Sequence, residues 1–144
     1  MGRYIYDDRG KFVWKYVFGS QPSEQSRIAV ELGIGDVKYN EDGDGDILTL
    51  TKEDAERLRE YLNKTISVNL LGNEFKTTRT QCVDAWNHMY FGNESILCGG
   101  FTDNVLDLIN ELMGDELNYW SMINQFIEHI HEYSYERVEF HGEY

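Results

Sequence analysis

Alternating apolar and polar residues near the N-terminus predict a β-hairpin. Arg3 to Asp7 and Lys11 to Phe18 each follow a period of two, and the turn between them ends at Gly10, which can adopt the positive φ that a tight turn requires. The second strand has an aromatic residue at every other position: Phe12, Trp14, Tyr16 and Phe18. Because side chains alternate across a strand, we expect this aromatic side to face the core rather than to form a ligand platform.

The next segment predicts a short helix followed by two strands. Gln21 to Glu24 is typical of a helix start, and the apolar stripe that follows runs to Leu32 and ends at Gly33. Val37 to Tyr39 and Ile47 to Leu50 are expected to be strands on either side of an acidic turn.

A capping box predicts the start of a second helix. Thr51 and Asp54 have the spacing at which a side chain and the backbone cap each other, and the apolar positions that follow predict a helix to about Lys64. Residues 66–75 fit either a strand or a loop, with a turn at Gly72-Asn73. The first half of the chain is therefore expected to be rich in strands.

The second half of the chain carries three apolar stripes with a helical period. Their members are, in order, Cys82, Ala85, Trp86, Met89 and Tyr90; Val105, Leu108, Ile109 and Leu112; and Leu117, Trp120, Ile123, Ile127 and Ile130. Residues 133–140 alternate weakly, which is compatible with an edge strand. We predict an α+β fold, in which a small antiparallel sheet (the N-terminal hairpin plus further strands) packs with three or more acidic C-terminal helices.

Length and composition indicate one folded domain over residues 1–144, with a strand-rich half, 1–79, and a helix-rich half, 80–144. The N-terminus lacks the apolar run of a secretory signal, and no stretch approaches the roughly 18 apolar residues of a membrane span. We therefore expect a cytoplasmic protein. Cys82 and Cys98 have neither zinc-ligand nor CxxC spacing, so both are expected to be buried free thiols.

The formal net charge of −13 is divided unequally between the two halves. Residues 1–79 contain 14 acids and 12 bases, whereas residues 80–144 contain 12 acids and a single base, Arg137. Self-repulsion of this kind disfavours a compact chain, and a field of one sign attracts partners of the opposite charge. We expect a basic protein as the partner, with no direct contact to nucleic acid or membrane; solubility alone is the simpler explanation of the charge.

Carboxylates recur at helical spacing in the acidic half. Asp103, Asp107 and Glu111 fall at i, i+4 and i+8, where like charges destabilise a helix by about 0.2 to 0.5 kcal/mol per pair. Regularly spaced carboxylates can imitate a run of phosphates, and tyrosines among them suit an interface. The predicted partner-binding residues are Asp103, Asp107, Glu111, Asp115, Glu116, Glu128, Glu132, Tyr119 and Tyr135. A solvated helix face is the competing interpretation.

One segment approaches a calcium-binding motif. Residues 40–45 match the first positions of an EF-hand loop, but the position that should carry a bidentate Glu is Thr51, and the flanking segments are predicted strands. An acidic turn is the better explanation, and weak calcium binding at Asp42, Asp44 and Asp46 is the alternative. No metal or cofactor is expected.

The histidines suggest little chemistry. Asp84 and His88 stand at i and i+4, the spacing of a carboxylate that orients an imidazole and equally of a surface ion pair. His129 and His131, two residues apart on a helix, point in different directions and cannot bind one metal ion together. No P-loop, dinucleotide-binding, GxSxG or HExxH motif is present, and the bases of the first half are scattered rather than clustered.

Two functional hypotheses follow. The first is a non-catalytic acidic inhibitor or antagonist of a basic, nucleic-acid-handling protein; by charge and size alone, bacterial immunity proteins and phage anti-defence proteins, including anti-restriction and anti-CRISPR proteins, are the comparable classes. The second is a domain that sequesters a small ligand or acts as an enzyme, with Phe12 to Phe18 as a pocket wall and Asp84 with His88 as its polar groups.

Overall fold

The part of the chain that the computed structural model describes is residues 4–15, 24–39, 45–70, 73–90 and 115–143. It forms the strands β1 (Tyr4–Asp7), β2 (Phe12–Lys15), β3 (Asp36–Tyr39), β4 (Gly45–Thr51), β5 (Thr65–Leu70), β6 (Asn73–Thr78) and β7 (Arg137–Glu143). Its helices are α1 (Glu24–Leu32), α2 (Lys52–Asn63), α3 (Arg79–Tyr90) and α4 (Asp115–Glu132). The predicted α+β class is confirmed.

The main sheet has five antiparallel strands in the order β2-β1-β7-β4-β3. The C-terminal strand β7 lies in its centre, paired with β1 on one side and along its full length with β4 on the other. The expectation of an edge strand at the tail is therefore wrong. The physical reason is that β1 and β4, both from the first half of the chain, pair with the two sides of β7, so that neither side is left as an edge.

The N-terminal hairpin forms as predicted, but its aromatic side does not face the core as a whole. Ile5 pairs with Trp14 and Tyr6 with Phe12, so Val13 is an additional residue in β2, as in a β-bulge. Val13 is consequently buried and Trp14 packs partly against the core, whereas Phe12 is 55% exposed. The other aromatic positions of the predicted strand lie outside the described residues: Tyr16 and Phe18.

Helices α1, α2 and α4 pack on the face of the main sheet that carries its buried side chains, whereas α3 packs against α2 and α4. α4 crosses this face, and its Phe126 ring stacks on Phe140 of β7 with centroids 4.2 Å apart. α2 begins with the predicted capping box, in which Asp54 N–H donates to Thr51 Oγ1 and Thr51 N–H donates to the Asp54 carboxylate. The core residues are drawn from the sheet and from all four helices.

The ambiguous segment 66–75 belongs to a second, two-stranded sheet. β5 and β6 pair from Thr65 with Thr78 to Leu70 with Asn73. Thr78 and Gln81 then exchange backbone and side-chain hydrogen bonds of 3.1 Å, which caps the start of α3. Cys82 on α3 is buried, as expected, and burial raises the pKa of its thiol. The predicted helix near residues 102–112 and Cys98 lie outside the described residues.

Candidate partner-binding surface

Helix α4 supplies the described carboxylates of the predicted interface and is firmly packed. All five members of its predicted apolar stripe are buried: Leu117, Trp120, Ile123, Ile127 and Ile130. Met122 and Phe126 are also fully buried, so more than one side of the helix contacts the rest of the protein. Any group on its remaining exposed side is therefore held on a rigid support.

Two of the predicted carboxylates, Glu128 and Glu132, lie one turn apart on this exposed side, and we name the pair the α4 carboxylate edge. The Asn124 side-chain amide donates to Glu128 over 3.3 Å. Among the described residues, no Arg, Lys or His lies within ion-pair distance of either carboxylate. Both sit near the C-terminal, negative end of the helix dipole, where a carboxylate is unfavourable.

The other end of α4 is different, because its charge is neutralised. Arg27 of α1 bridges Glu116, at 3.3 Å, and Glu31, at 3.1 Å. Burial alone would lower the pKa of the Arg27 guanidinium, but the two carboxylates outweigh it and raise this pKa above its ordinary value. Glu116 is thus already paired with a base from the first half of the chain. Asp115 begins the helix, and its side chain is outside the described part.

Tyr119 is in the core rather than at the surface. Its ring is 1% exposed and the Arg27 guanidinium lies 4.0 Å from the ring centroid. Burial raises the pKa of its hydroxyl well above the ordinary value. We therefore remove Tyr119 from the predicted interface. It was included because acidic residues surround it in the sequence, but its position in the helical repeat points its ring inward. The stripe Asp103, Asp107 and Glu111 lies outside the described residues.

Tyr135 is half-buried and belongs to a network that the sequence did not indicate. Its hydroxyl donates to Asp7 Oδ2 over 3.1 Å, and His129 Nε2 lies 2.9 Å from the same oxygen. An ionised carboxylate only accepts hydrogen bonds, so His129 Nε2 carries the proton in this contact. We call these three residues the Asp7 network; it fastens the β1–β2 turn to the end of α4.

Both oxygens of the Asp7 carboxylate, at the centre of the Asp7 network, accept hydrogen bonds. Its Oδ1 accepts the backbone N–H groups of Arg9, at 2.9 Å, and Lys11, at 2.7 Å. Burial alone would raise the pKa of Asp7, but the hydrogen bonds from His129, from these two N–H groups and from Tyr135 outweigh it and hold the pKa below its ordinary value. The same arrangement, by burial and by the nearby Asp7 charge, raises the pKa of Tyr135.

Two cationic side chains lie over the rings of Tyr133 and Tyr135, next to the Asp7 network. The Arg9 guanidinium lies 4.1 Å from the Tyr135 ring centroid, and Lys11 Nζ lies 4.5 Å from that of Tyr133, which is 41% exposed. The two rings stack on each other, with centroids 5.5 Å apart. The α4 carboxylate edge therefore ends beside exposed aromatic and cationic groups rather than in a continuous acidic surface.

Asp7 and His129 are the residues that sequence reasoning missed. An Asp at the start of a turn that ends in Gly commonly accepts hydrogen bonds from the backbone N–H groups that follow it. This part of the Asp7 network could therefore have been predicted from the sequence. Its contact with His129 joins positions 122 residues apart and has no local signal. Asp84 is exposed on α3, whereas the His88 side chain lies outside the described part.

In the described part of the EF-hand-like segment, the side chains are not arranged to bind a calcium ion. Asp46 is 0% exposed, and the Gln25 side-chain amide donates to both its carboxylate and its backbone oxygen. Thr51 Oγ1 caps α2. Asp42 and Asp44 lie outside the described residues, and within those residues no three His, Cys, Asp or Glu side chains form a group able to hold a metal ion.

A cavity of about 210 Å³ lies between α2 and the C-terminal end of α4. Its lining includes Lys52, Arg59, His131, Tyr135 and Glu136, so it carries charges of both signs. None of its lining residues belongs to β2, so it is not the pocket that the aromatic strand was expected to wall. Among the described helices, none is long and apolar enough to cross a membrane.

Comparison with known proteins finds no matching family model, no matching curated protein and no matching solved structure. The chain is therefore characterised by its own architecture: an α+β protein in which three of the described helices cover one face of a five-stranded antiparallel sheet, with a second, two-stranded sheet beside α3. Its distinguishing surface feature is the α4 carboxylate edge beside the Asp7 network.

Proposed function

We propose that this protein is a non-catalytic, cytoplasmic binding protein that attaches to the basic surface of a partner protein and blocks it. The partner would be one that normally holds nucleic acid through Arg and Lys side chains, as the targets of acidic anti-restriction, anti-CRISPR and immunity proteins do. The single observation that supports this proposal best is the α4 carboxylate edge, two carboxylates on a rigid helix that have no ion-pair partner within the described part of the chain.

The position of these carboxylates costs helix stability, and no cation among the described residues offsets this cost, since the hydrogen bond that Glu128 accepts comes from the neutral Asn124 amide. Two like charges one turn apart disfavour a helix by about 0.2 to 0.5 kcal/mol, and the helix dipole adds to this near the C-terminus. At the other end of α4, by contrast, Glu116 has Arg27 as a partner. A cationic group of another protein is the natural counterpart of Glu128 and Glu132.

Packing of α4 makes this edge suitable for recognition. Nine-tenths or more of the surface of Ile127, His129 and Ile130, which alternate with the edge residues along the helix, is buried. The backbone that carries the carboxylates is therefore fixed before a partner arrives, and little conformational entropy is lost on binding. The unequal charge of the two halves adds a long-range attraction that speeds the encounter.

A charge-reversal experiment tests the proposal with a defined probe, an arginine–glycine repeat peptide. The Glu128→Lys/Glu132→Lys variant is expected to bind the peptide roughly tenfold or more weakly than the wild type, because two favourable charge contacts become repulsive. Isothermal titration calorimetry at low salt gives the affinity, and at about 1 M salt, where the Debye length is about 3 Å, wild-type binding should largely disappear.

A matched variant separates this edge from overall charge. Glu56 and Glu60 are also exposed and one turn apart, but on α2, so Glu56→Lys/Glu60→Lys makes the same change in net charge. It should weaken peptide binding much less. Equal losses in the two variants would show that only net charge matters, and binding that resists salt would contradict the proposal. Reversal of Asp103, Asp107 and Glu111 tests the remaining predicted stripe in the same assay.

A further inference from the structure

The cavity between α2 and the C-terminal end of α4 has an apolar floor and a charged rim. Three of its lining side chains are buried, Ala55, Ile127 and Ile130, whereas the charged side chains that line it are exposed. All of its lining residues come from α2, from α4 or from the turn between α4 and β7. Its walls therefore lie entirely within the part of the chain that the structure describes.

The size of the cavity limits what it can hold. Its volume of about 210 Å³ is larger than the roughly 150 Å³ of an engineered cavity that binds benzene. It is smaller than the pockets of about 300 to 1,000 Å³ that hold drug-sized ligands. A small organic molecule, only somewhat larger than benzene, is the size of ligand that fits.

The charged side chains on the α2 wall are not paired with one another. Lys52, Glu56 and Arg59 follow each other along one side of α2 and all line the cavity. Residues at these spacings can form ion pairs. Among the described residues, however, none of the three lies within ion-pair distance of an opposite charge. Charges of both signs are thus available to a ligand on this wall.

The lining as a whole carries no net charge, in contrast to the rest of the molecule. Lys52 and Arg59 contribute two positive charges, and Glu56 and Glu136 contribute two negative ones, with His131 counted as neutral. The chain as a whole has a formal net charge of −13, so a free anion is repelled as it approaches, whereas a molecule without net charge is not. A zwitterion with an apolar part therefore suits the cavity.

We propose that this cavity binds a free α-amino acid with an apolar side chain. Glu56 and Arg59 are neighbours on the surface of α2, where residues three apart have Cβ atoms about 5 to 6 Å from each other. The adjacent ammonium and carboxylate groups of an α-amino acid can contact this pair together, and a guanidinium binds a carboxylate through two parallel hydrogen bonds. The side chain of the ligand would pack on the apolar floor, where its burial stabilises the complex.

This site is separate from the α4 carboxylate edge in residues and in chemistry, and the proposal does not rest on the proposed function. A simple carboxylic acid would leave Glu56 without a counterpart, and a simple amine would do the same to Arg59. Both would place a charge of the protein beside a ligand that cannot neutralise it, which disfavours binding. The two charged groups of the ligand are therefore expected to be required together.

The first test compares ligands on the full-length wild-type protein. The probes are L-leucine and L-phenylalanine, with 4-methylpentanoate, which is leucine without its ammonium group, and 3-methylbutylamine, which is leucine without its carboxylate. In NMR titrations, the backbone amide signals of Ala55 and His131 should shift with at least one of the two amino acids, with a Kd on the order of 0.1 mM. The two leucine analogues should bind about tenfold or more weakly than that amino acid.

The second test uses variants of the cavity. Arg59→Gln is expected to weaken binding of the amino acid about tenfold, because the contact to its carboxylate loses its charge. Arg57→Gln is the matched control, since Arg57 lies on the same helix but outside the cavity, with Asp54 at 3.8 Å as its ion-pair partner. Ala55→Met places a longer apolar side chain on the floor and should also abolish binding. Far-ultraviolet circular dichroism confirms that each variant is folded.

The charge-reversal variants distinguish this proposal from the proposed function. Glu56→Lys/Glu60→Lys should lose the amino acid and retain the arginine–glycine peptide, whereas Glu128→Lys/Glu132→Lys should show the opposite pattern. An amino acid site that survives while the peptide does not bind to the wild type would support the cavity and remove the proposed function. Peptide binding without any amino acid binding at about 10 mM would do the reverse.

Three further results would overturn the amino acid site. The first is binding of 4-methylpentanoate as strong as that of leucine, which would indicate a site for simple anions. The second is an equal loss in Arg57→Gln and Arg59→Gln, which would indicate an effect of overall charge. The third is binding that is unchanged in a folded Ala55→Met variant, because a ligand in this cavity cannot share its space with the longer side chain.

Discussion

Asp7→Ala will lower the free energy of unfolding by about 3 kcal/mol, because it removes the acceptor of four hydrogen bonds and leaves the buried His129 donor and the half-buried Tyr135 donor without this partner. For a chain of this length the midpoint of thermal unfolding should fall by roughly 6 to 12 °C. Urea denaturation followed by circular dichroism measures the first quantity, and calorimetry measures the second.

Asp8→Ala is the matched control for this prediction. Asp8 is the next residue in the same turn and is exposed, and its ion pair with Arg9 is also exposed. Its replacement should change the free energy of unfolding by less than about 1 kcal/mol. A loss at Asp7 no larger than the loss at Asp8 would mean that the Asp7 network does not hold the hairpin turn to α4.

The effect of Asp7 should also depend on pH with a defined sign. The pKa of Asp7 in the folded protein lies below the ordinary value of 3.8, so its ionised form contributes stability above that value and loses this contribution as pH falls through the folded pKa. The difference in stability between wild type and Asp7→Ala should become smaller as pH falls below about 4, where Asp7 takes up a proton. A difference that stays the same or grows as pH falls further from about 4 would contradict the assigned network.

The second large effect is expected in the central strand. Phe140→Ala should cost about 4 kcal/mol, because the ring is 0% exposed and stacks on Phe126, and its loss leaves a cavity between β7 and α4. The expected fall in the midpoint of thermal unfolding is more than about 8 °C. His141→Ala is the control: His141 is the next residue of β7, and its side chain is 43% exposed on the other face.

The paired variants test the register of the sheet as well as the core. If β7 were an edge strand of uncertain register, both substitutions would be tolerated to a similar degree. A cost at Phe140 several times that at His141 would establish which face of β7 is inside. Equal costs would contradict the assignment of Phe140 to the buried face of β7.

Local patterns predicted most of the helices and strands. The capping box at Thr51, the end of α1 at Gly33 and the five apolar residues of α4 were all available from the sequence, and the structure confirms them. Each depends on residues within about four positions of each other, so spacing alone is sufficient to identify it. The hairpin turn with positive φ at Gly10 is another example.

Pairing between segments that are far apart in the sequence could not be predicted from local spacing. The alternation of apolar and polar residues over 133–140 is weak, because the strand begins only at Arg137. Its neighbours in the sheet, β1 and β4, come from the first half of the chain. The additional residue Val13 in β2 likewise depends on the register with β1. Both were misjudged because the position and register of a strand in a sheet depend on its partners as well as on its own residues.

The sequence by itself determined the class of fold, the position of most elements and the concentration of negative charge after residue 80. Only the tertiary structure decided which of these carboxylates keep their charge available: Arg27 neutralises Glu116, whereas Glu128 and Glu132 remain exposed. It also decided that Asp7, in the first half of the chain, is enclosed by hydrogen-bond donors. The physical reason is that charge is a property of composition, whereas an ion pair or a buried hydrogen bond requires groups far apart in sequence to meet within about 3 Å.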